Sequence, residues 1–183
     1  TIVIGAYMDD DGGSNSGSAY VFRTTDGGAT YDEIAKLTAA DAASGDYFGY
    51  SVAVDGNTIV VGAYYKSSGT GAVYVFEKST CGTYSQVAKL TASDAAAYDY
   101  FGSSVAIDGD IIVAGAWGDD DGGSQSGSVY VFEKGWLGST YGQVAKLTAS
   151  DASSSDHFGR SVAIDGGTVV VGARGHGYYD YGA

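Results

Sequence analysis

Short runs of apolar residues, mostly Val, Ile, Ala, Tyr and Phe, alternate along the chain with segments rich in glycine and aspartate. None of these runs follows the 3.6-residue period of an amphipathic helix. Several alternate with period two instead, as where Val73 and Val75 are interleaved with Tyr74 and Phe76. Because both sets of positions are apolar, we expect strands that are buried on both faces, as in stacked sheets.

The same pattern recurs as a repeat whose copies are spaced 53 or 57 residues apart. Phe-Gly begins at residues 48, 101 and 158, and Gly-Ala begins at residues 5, 62, 115 and 172. Tyr-Val-Phe and Ala-Lys-Leu-Thr recur in register between these landmarks. Internal repetition at such a period is typical of propellers and solenoids, so the repeat determines the fold prediction.

Each copy predicts four antiparallel strands, named A to D here. They cover residues 50–55, 58–63, 72–77 and 84–91 in one copy, and 103–108, 111–116, 129–133 and 141–148 in the next. Asp-Gly between strands A and B indicates tight hairpins. The copies differ in length only in the B–C loop and the C–D turn, whereas the D–A passage into the next copy is constant. A constant passage predicts a fixed geometry between neighbouring sheets, as in a β-propeller.

The order of the motifs is similar to the FG-GAP repeat of integrin α-heads. It is carried by Phe-Gly-Tyr-Ser-Val at 48–52, Val-Gly-Ala at 61–63 and Gly-Ala-Val-Tyr-Val-Phe at 71–76. The resemblance implies an all-β fold of four-stranded propeller blades in a secreted or cell-surface protein. We therefore predict a single partial β-propeller over residues 1–183, with repeat units at about 1–47, 48–100, 101–157 and 158–183.

The predicted strands run B-C-D, then A-B-C-D twice, then A-B, which makes 13 strands or 3.25 blades. Closed propellers have about four to eight blades. We therefore expect further propeller repeats in a longer chain. The alternative is end-to-end association of copies of this chain, which would extend into a filament. The up-and-down strand order also predicts that B–C loops and D–A passages share one end of the sheets.

Charge and composition limit the classes of partner that the protein can bind. The formal net charge is −13, from 22 Asp and Glu against 9 Lys and Arg. Such a surface repels phosphate backbones, which excludes nucleic-acid binding. No apolar run reaches the ~18 residues of a membrane-spanning helix. Together with the resemblance, these features predict an extracellular protein. The single cysteine, Cys81, is expected to be a free thiol in a hairpin or, alternatively, an interchain bridge.

Two Asp-Asp-Asp-Gly-Gly-Ser runs in B–C loops are candidate sites for Ca²⁺, which prefers oxygen ligands. Consecutive side chains point to different sides, however, and the B–C loop of the second repeat, residues 66–71, has no carboxylate. We therefore predict no required cofactor, with Ca²⁺ as an optional ligand and a solvated acidic turn as the alternative. The calcium loop of many family members lies between strands A and B, where the tight Asp-Gly turn offers too few oxygens here. The candidate ligands are Asp9, Asp10, Asp11, Asp119, Asp120 and Asp121.

Pairs of aspartates recur five residues apart in every D–A passage, at 41 and 46, 94 and 99, and 151 and 156. A catalytic carboxylate pair is expected once in a protein and not in every repeat. We therefore predict that these aspartates cap backbone amides of the turns.

The residues just after each Gly-Ala, where the family has proline, are the candidate contacts with partners. Aromatic side chains beside polar loops of variable length are typical of recognition surfaces, although they also pack between blades. No catalytic motif accompanies them, so we predict a non-catalytic structural or adhesive scaffold that binds protein or matrix partners. The alternatives are a carbohydrate-binding module that binds glycan partners, or the propeller part of a larger cell-surface or filament-forming protein. The candidate contact residues are Tyr7, Tyr64, Tyr65, Trp117 and Arg174.

Overall fold

A computed structural model of the chain describes residues 1–136, 138 and 140–175. The described part contains 13 strands and one single-turn element, α1 (Lys66–Gly69), in which Ser67 and Ser68 have left-handed backbone angles. The strands are β1 (Ile2–Ala6), β2 (Ser18–Arg23), β3 (Asp32–Leu37), β4 (Phe48–Asp55), β5 (Thr58–Ala63), β6 (Ala72–Lys78), β7 (Tyr84–Leu90), β8 (Ser104–Asp108), β9 (Ile111–Ala116), β10 (Ser128–Lys134), β11 (Tyr141–Leu147), β12 (Phe158–Asp165) and β13 (Thr168–Ala173).

The strands form four antiparallel sheets, in which strands that follow one another in the chain are neighbours. Blade 1 is β1-β2-β3, blade 2 is β4-β5-β6-β7, blade 3 is β8-β9-β10-β11, and blade 4 is β12-β13. Each sheet therefore has the up-and-down order of a propeller blade, and the predicted all-β fold is confirmed. The predicted strand ends differ from the observed ones by at most two residues.

The apolar core lies between the blades. Val75 packs towards blade 3, in a cluster that includes Phe101 of that blade. Its neighbour Tyr74 points the opposite way and packs towards Val21 of blade 1. Both faces of β6 are thus buried, as the period-two pattern of apolar residues predicts. Because burial of apolar surface is the main driving force of folding, each blade depends on its neighbours for stability.

The motif glycines lie where the backbones of neighbouring blades touch. A Cβ on Gly62 would lie 2.0 Å from the carbonyl oxygen of Gly102 in blade 3. A Cβ on Gly115 would lie 2.0 Å from the carbonyl oxygen of Gly159 in blade 4, to which Ser104 Oγ donates a hydrogen bond at 2.7 Å. The glycine of Gly-Ala in one blade thus docks on the glycine of Phe-Gly in the next, and no larger residue fits this contact.

The B–C loops and D–A passages lie at the same end of the sheets, which we name the loop end. The Gly45 N–H donates to the Ser14 carbonyl at 2.8 Å, and the Tyr47 N–H donates to the Asn15 carbonyl at 3.1 Å. The same contact recurs between His157 and Gln125, also at 3.1 Å. The predicted arrangement of the connections is therefore confirmed.

At the opposite end, the A–B hairpins are tied to each other by aspartates. The carboxylate of Asp55 accepts a hydrogen bond from the Gly109 N–H at 2.8 Å, and the carboxylate of Asp108 accepts one from the Gly166 N–H at 2.7 Å. Each of these side chains reaches from one hairpin to the hairpin of the next blade. The hairpin aspartates thus serve as links between blades, because a short carboxylate readily accepts backbone N–H donors.

Candidate functional site

A continuous chain of stacked rings crosses the loop end from blade 1 to blade 4. Adjacent rings in this aromatic ladder have centroids between 4.3 and 6.3 Å apart. Such offset and edge-on contacts stabilise aromatic pairs beyond the area that they bury. The aromatic ladder consists of Tyr7, Tyr47, Tyr50, Tyr64, Tyr65, Tyr98, Tyr100 and Trp117, and it ends at His157 and Arg160.

The contacts of the ladder repeat in register. The residue after Gly-Ala in one blade meets the residue before Phe-Gly in the next, as in Tyr64 with Tyr100 at 5.8 Å and Trp117 with His157 at 5.1 Å. Within one blade, Tyr100 then stacks on Trp117 at 4.5 Å. The ladder therefore follows directly from the repeat and continues across each junction between blades.

The backbone is strained where the ladder passes from one blade to the next. Tyr47, Tyr100 and His157 have φ angles of 54°, 58° and 55°, in the left-handed region that bulky residues rarely adopt. Each of these residues directly precedes the Phe-Gly motif, and each directs its ring into the ladder. Strain that recurs at equivalent positions points to a role for the side chains that it places.

The five predicted contact residues divide into two groups. Tyr64 and Trp117 are half-buried rings that pack between blades, and the Trp117 Nε1 is buried without a hydrogen-bond partner. Tyr7 and Tyr65 are exposed members of the ladder, and Arg174 is exposed at its blade 4 end. Tyr98, which the sequence pattern did not single out, is the most exposed ring of the ladder at 56%. It lies in the D–A passage, outside the motif that carried the prediction.

Lysine ammonium groups lie among the acidic residues of the B–C loops in blades 1 and 3. In blade 3, Lys146 Nζ lies 3.0 Å from the carboxylate of Asp119 and 2.7 Å from that of Asp94, and it also contacts Asp121. The hydroxyl oxygen of Tyr130 lies 2.8 Å from a carboxylate oxygen of Asp94 and 2.8 Å from one of Asp119, so the two carboxylates share its single proton. These side chains come from the B–C loop, from strands β10 and β11, and from the D–A passage between blades 2 and 3.

The same arrangement occurs in blade 1, where Lys36 Nζ lies 2.8 Å from the carboxylate of Asp9 and also contacts Asp11. The middle residues of the two acidic runs point elsewhere. Asp10 accepts the Asn15 N–H at 2.7 Å, and Asp120 accepts an equivalent N–H from its own loop. The six candidate metal ligands therefore separate into two pairs that face a lysine and two residues that cap their own loops.

The motifs at the blade junctions also match a known sequence family. The family model described as FG-GAP repeat matches residues 1–22, 31–76, 84–132 and 141–183, which is most of the chain. This chain belongs to the FG-GAP repeat family. A search of the curated proteins found no significant match. Among the described residues, no helix has the length and apolar character needed to cross a bilayer.

Blade 2 of this FG-GAP protein reverses the charge at the first acidic position. Lys66 stands where Asp9 and Asp119 stand in blades 1 and 3, three residues after Gly-Ala. Its ammonium group lies 2.7 Å from the buried carboxylate of Asp46 and donates to the Asp41 backbone carbonyl. The loop ends of blades 1 to 3 thus hold cations and carboxylates together, but different residues supply the cation.

The carboxylates around Lys146 do not fit a calcium ion while the lysine remains in place. Ca²⁺ takes six to eight oxygen ligands, whereas here an ammonium group occupies the space between three carboxylates. Burial alone would raise the pKa of Asp119, but hydrogen bonds from Lys146 and other neighbours hold that pKa below its ordinary value. Burial would lower the pKa of Lys146, and its contacts with Asp121 and Asp94 raise it instead. Calcium in these loops stays a prediction that competes with the lysine.

The prediction that both aspartates of each D–A passage cap turns is confirmed for one of the two. Asp46, Asp99 and Asp156 each accept the N–H three residues before them, at 2.7 to 2.8 Å. It is wrong for Asp41 and Asp94, which accept hydrogen bonds from the tyrosine and lysine of the following blade. The equivalent tyrosine and lysine recur in all three copies that contain strands C and D, so the repeat pattern contained this signal.

We expect acidification to weaken the junction that contains Asp41. Burial would raise the pKa of this carboxyl, but hydrogen bonds from Lys89 and Tyr74 hold it at about 2, against 3.8 for a free aspartate. A group with a lowered folded-state pKa stabilises the protein fully above its unfolded pKa and loses this contribution as the pH falls towards 2. In Asp41→Asn, urea denaturation midpoints should decline less between pH 4 and pH 2 than in the wild type. Equal declines would contradict this assignment.

Proposed function

We propose that this chain is a non-catalytic scaffold of an extracellular protein, which holds protein or matrix partners on the loop end of its blades. The observation that carries the proposal is the aromatic ladder, whose exposed rings Tyr7, Tyr65 and Tyr98 lie beside loops of variable length. Exposed aromatic groups held rigidly by their neighbours are well suited to binding, because little side-chain entropy is lost. Strained residues in the ladder support the same conclusion.

The charged residues of the loop end support a non-catalytic role. The aspartates and lysines that the repeat brings together are engaged with one another, within a blade as for Lys36 and Asp9 or across a blade junction as for Lys66 and Asp46. Each such cluster recurs from blade to blade, whereas catalytic groups are expected once per site. Membership of the FG-GAP family supports an extracellular, adhesive context.

We expect loss of the exposed rings to weaken adhesion strongly without unfolding the protein. Binding of the double variant Tyr65→Ser/Tyr98→Ser to surface material of the cells that make the protein should fall by about tenfold or more, since each anchor ring contributes on the order of 1 kcal/mol. Tyr31→Ser is the matched control, because the 45% exposure of Tyr31 lies between those of Tyr65 and Tyr98 and Tyr31 lies outside the ladder. Undiminished binding by the double variant, or equal loss in the control, would refute the role of the ladder.

Carbohydrate binding is the second candidate function. Flat aromatic faces beside polar groups suit sugar rings, which present apolar C–H faces and polar hydroxyls. In the ladder, the phenolic hydroxyls of the tyrosines supply polar groups at the edges of the exposed rings, while neighbouring rings hold each face in place. The end of the ladder at blade 4 favours one class of sugar.

A further inference from the structure

The ladder changes its chemistry at blade 4, where a histidine and two arginines replace tyrosines. His157 stands where Tyr47 and Tyr100 stand in the other blades. Arg160 occupies the position of Tyr50, and Arg174 occupies that of Tyr64. In blade 2 the rings of Tyr50 and Tyr64 have centroids only 4.3 Å apart. The repeat thus places Arg160 and Arg174 at two neighbouring repeat positions, at the end of an aromatic surface.

Backbone contacts hold this cationic corner in place. The Gly175 N–H donates to the Asp156 carbonyl at 2.9 Å, which fixes the chain at Arg174 next to His157. The Arg160 N–H donates to the His157 carbonyl at 3.1 Å, and the Arg160 guanidinium lies 5.1 Å from the ring centroid of Trp117. Stacking on an aromatic ring orients a guanidinium while leaving its N–H donors available.

The two arginines differ in their partners from most other cations of the chain. Among the described residues, salt bridges engage Lys36, Lys66, Lys89, Lys134 and Lys146, and none involves an arginine. Burial lowers the pKa of His157, and the charges of Arg160 and Arg174 lower it further. The lowered pKa favours the neutral imidazole, and the positive charge of the corner belongs to the arginines. In a chain of net charge −13, the corner is a local concentration of positive charge, which attracts anions.

We propose that this cationic corner binds the carboxylate of an acidic sugar, with the sugar chain extending over the exposed rings of the ladder. The proposal rests on the proposed scaffold function and names the class of its partner. Arginine forks match a carboxylate with two parallel hydrogen bonds. The neighbouring tyrosine faces suit the apolar faces of sugar rings, which an acidic peptide does not offer. Because the rest of the surface repels polyanions, binding depends on the corner itself.

The test is calorimetric titration of the protein with an oligogalacturonate, with its fully methyl-esterified form and with a neutral dextran oligomer of equal length. We expect the free acid to bind at least about tenfold more tightly than the other two, because only the free acid can form charge-assisted hydrogen bonds with the arginines. Arg160→Gln/Arg174→Gln should remove this preference for the free acid. Arg174→Gln alone, at an exposed position, should reduce it without affecting the fold. Arg23→Gln, at the opposite end of blade 1, is the matched control and should bind as the wild type does.

Each alternative outcome has a distinct meaning. Equal binding of the acid and the ester, or of the wild type and the double variant, would overturn the anionic site. A poly-glutamate oligomer that binds as tightly as the oligogalacturonate would assign the corner to acidic peptides and overturn the assignment to sugars. Adhesion that is lost in Tyr65→Ser/Tyr98→Ser while no oligogalacturonate binds would refute this inference alone. Binding of the oligogalacturonate without ladder-dependent adhesion would refute the scaffold function and retain the site.

Discussion

Gly115→Ala is expected to lower the free energy of unfolding by about 3 kcal/mol or more, the upper range for overpacking a closely packed contact. The added methyl group would lie 2.0 Å from the carbonyl oxygen of Gly159, and that oxygen belongs to the backbone of the next blade. A side chain could rotate away, but this carbonyl also accepts the hydrogen bond of Ser104 and cannot move without separating blades 3 and 4. Urea denaturation followed by tyrosine fluorescence measures the change.

Gly142→Ala is the matched control. Gly142 also lies in a strand of blade 3, but it is exposed, and a Cβ there would meet nothing within 4 Å. Its replacement should be neutral or stabilise the fold by about 0.5 kcal/mol, because alanine loses less conformational entropy on folding. A similar loss of stability in both variants would show that the substitution acts through strand propensity and not through the blade contact.

Lys146→Met should make the stability of the protein dependent on calcium. The methionine fills a similar volume but leaves Asp94, Asp119 and Asp121 without a cation. Removing one partner from a largely buried ion pair costs about 3 kcal/mol, and Asp119 is a buried carboxylate. We therefore expect a loss of that size in the presence of EDTA, with partial recovery when millimolar Ca²⁺ is added, since the three carboxylate oxygens lie within 4.8 Å of one another.

The wild type and Lys89→Met are the controls for this experiment. Lys89 occupies the same repeat position in blade 2, where Asp41 also has Lys66 within 3.7 Å. Replacement of Lys89 should lower the free energy of unfolding by less, and adding Ca²⁺ should not restore stability to that variant. If Ca²⁺ stabilised the wild type as much as it stabilised Lys146→Met, the lysine would not be the counter-ion of this site, and the predicted calcium-binding loops would be supported.

The strands, hairpins and blade order followed from the sequence because they depend on local patterns. Apolar alternation, Asp-Gly turns and constant spacing each act over a few residues and recur in every copy. The sequence did not show in the same way why the motif glycines are required. Gly62 and Gly102 meet only when two blades are docked, and nothing in either segment alone specifies that contact.

The chemistry of the loop end depended on side chains that converge from distant segments. The acidic run at residues 119–121 suggested a metal, whereas its cation is Lys146 from strand β11. That lysine is part of the recurring Ala-Lys-Leu-Thr motif. The sequence therefore showed its place in the strand but not which carboxylates its side chain would contact. Likewise, the ladder requires the left-handed backbone of Tyr100, and no sequence pattern predicts a strained tyrosine.

The glycine contact between blades has a consequence for how such arrays arise in evolution. Each unit carries Phe-Gly on one side and Gly-Ala on the other, so one copy contains both halves of the joint. A gene segment duplicated in tandem would therefore encode a new unit that already fits its neighbours, without compensating mutations at the boundary. Because the joint consists of backbone atoms, the side chains at the loop end can diverge freely among copies, as the change from tyrosine to arginine between blades 2 and 4 illustrates.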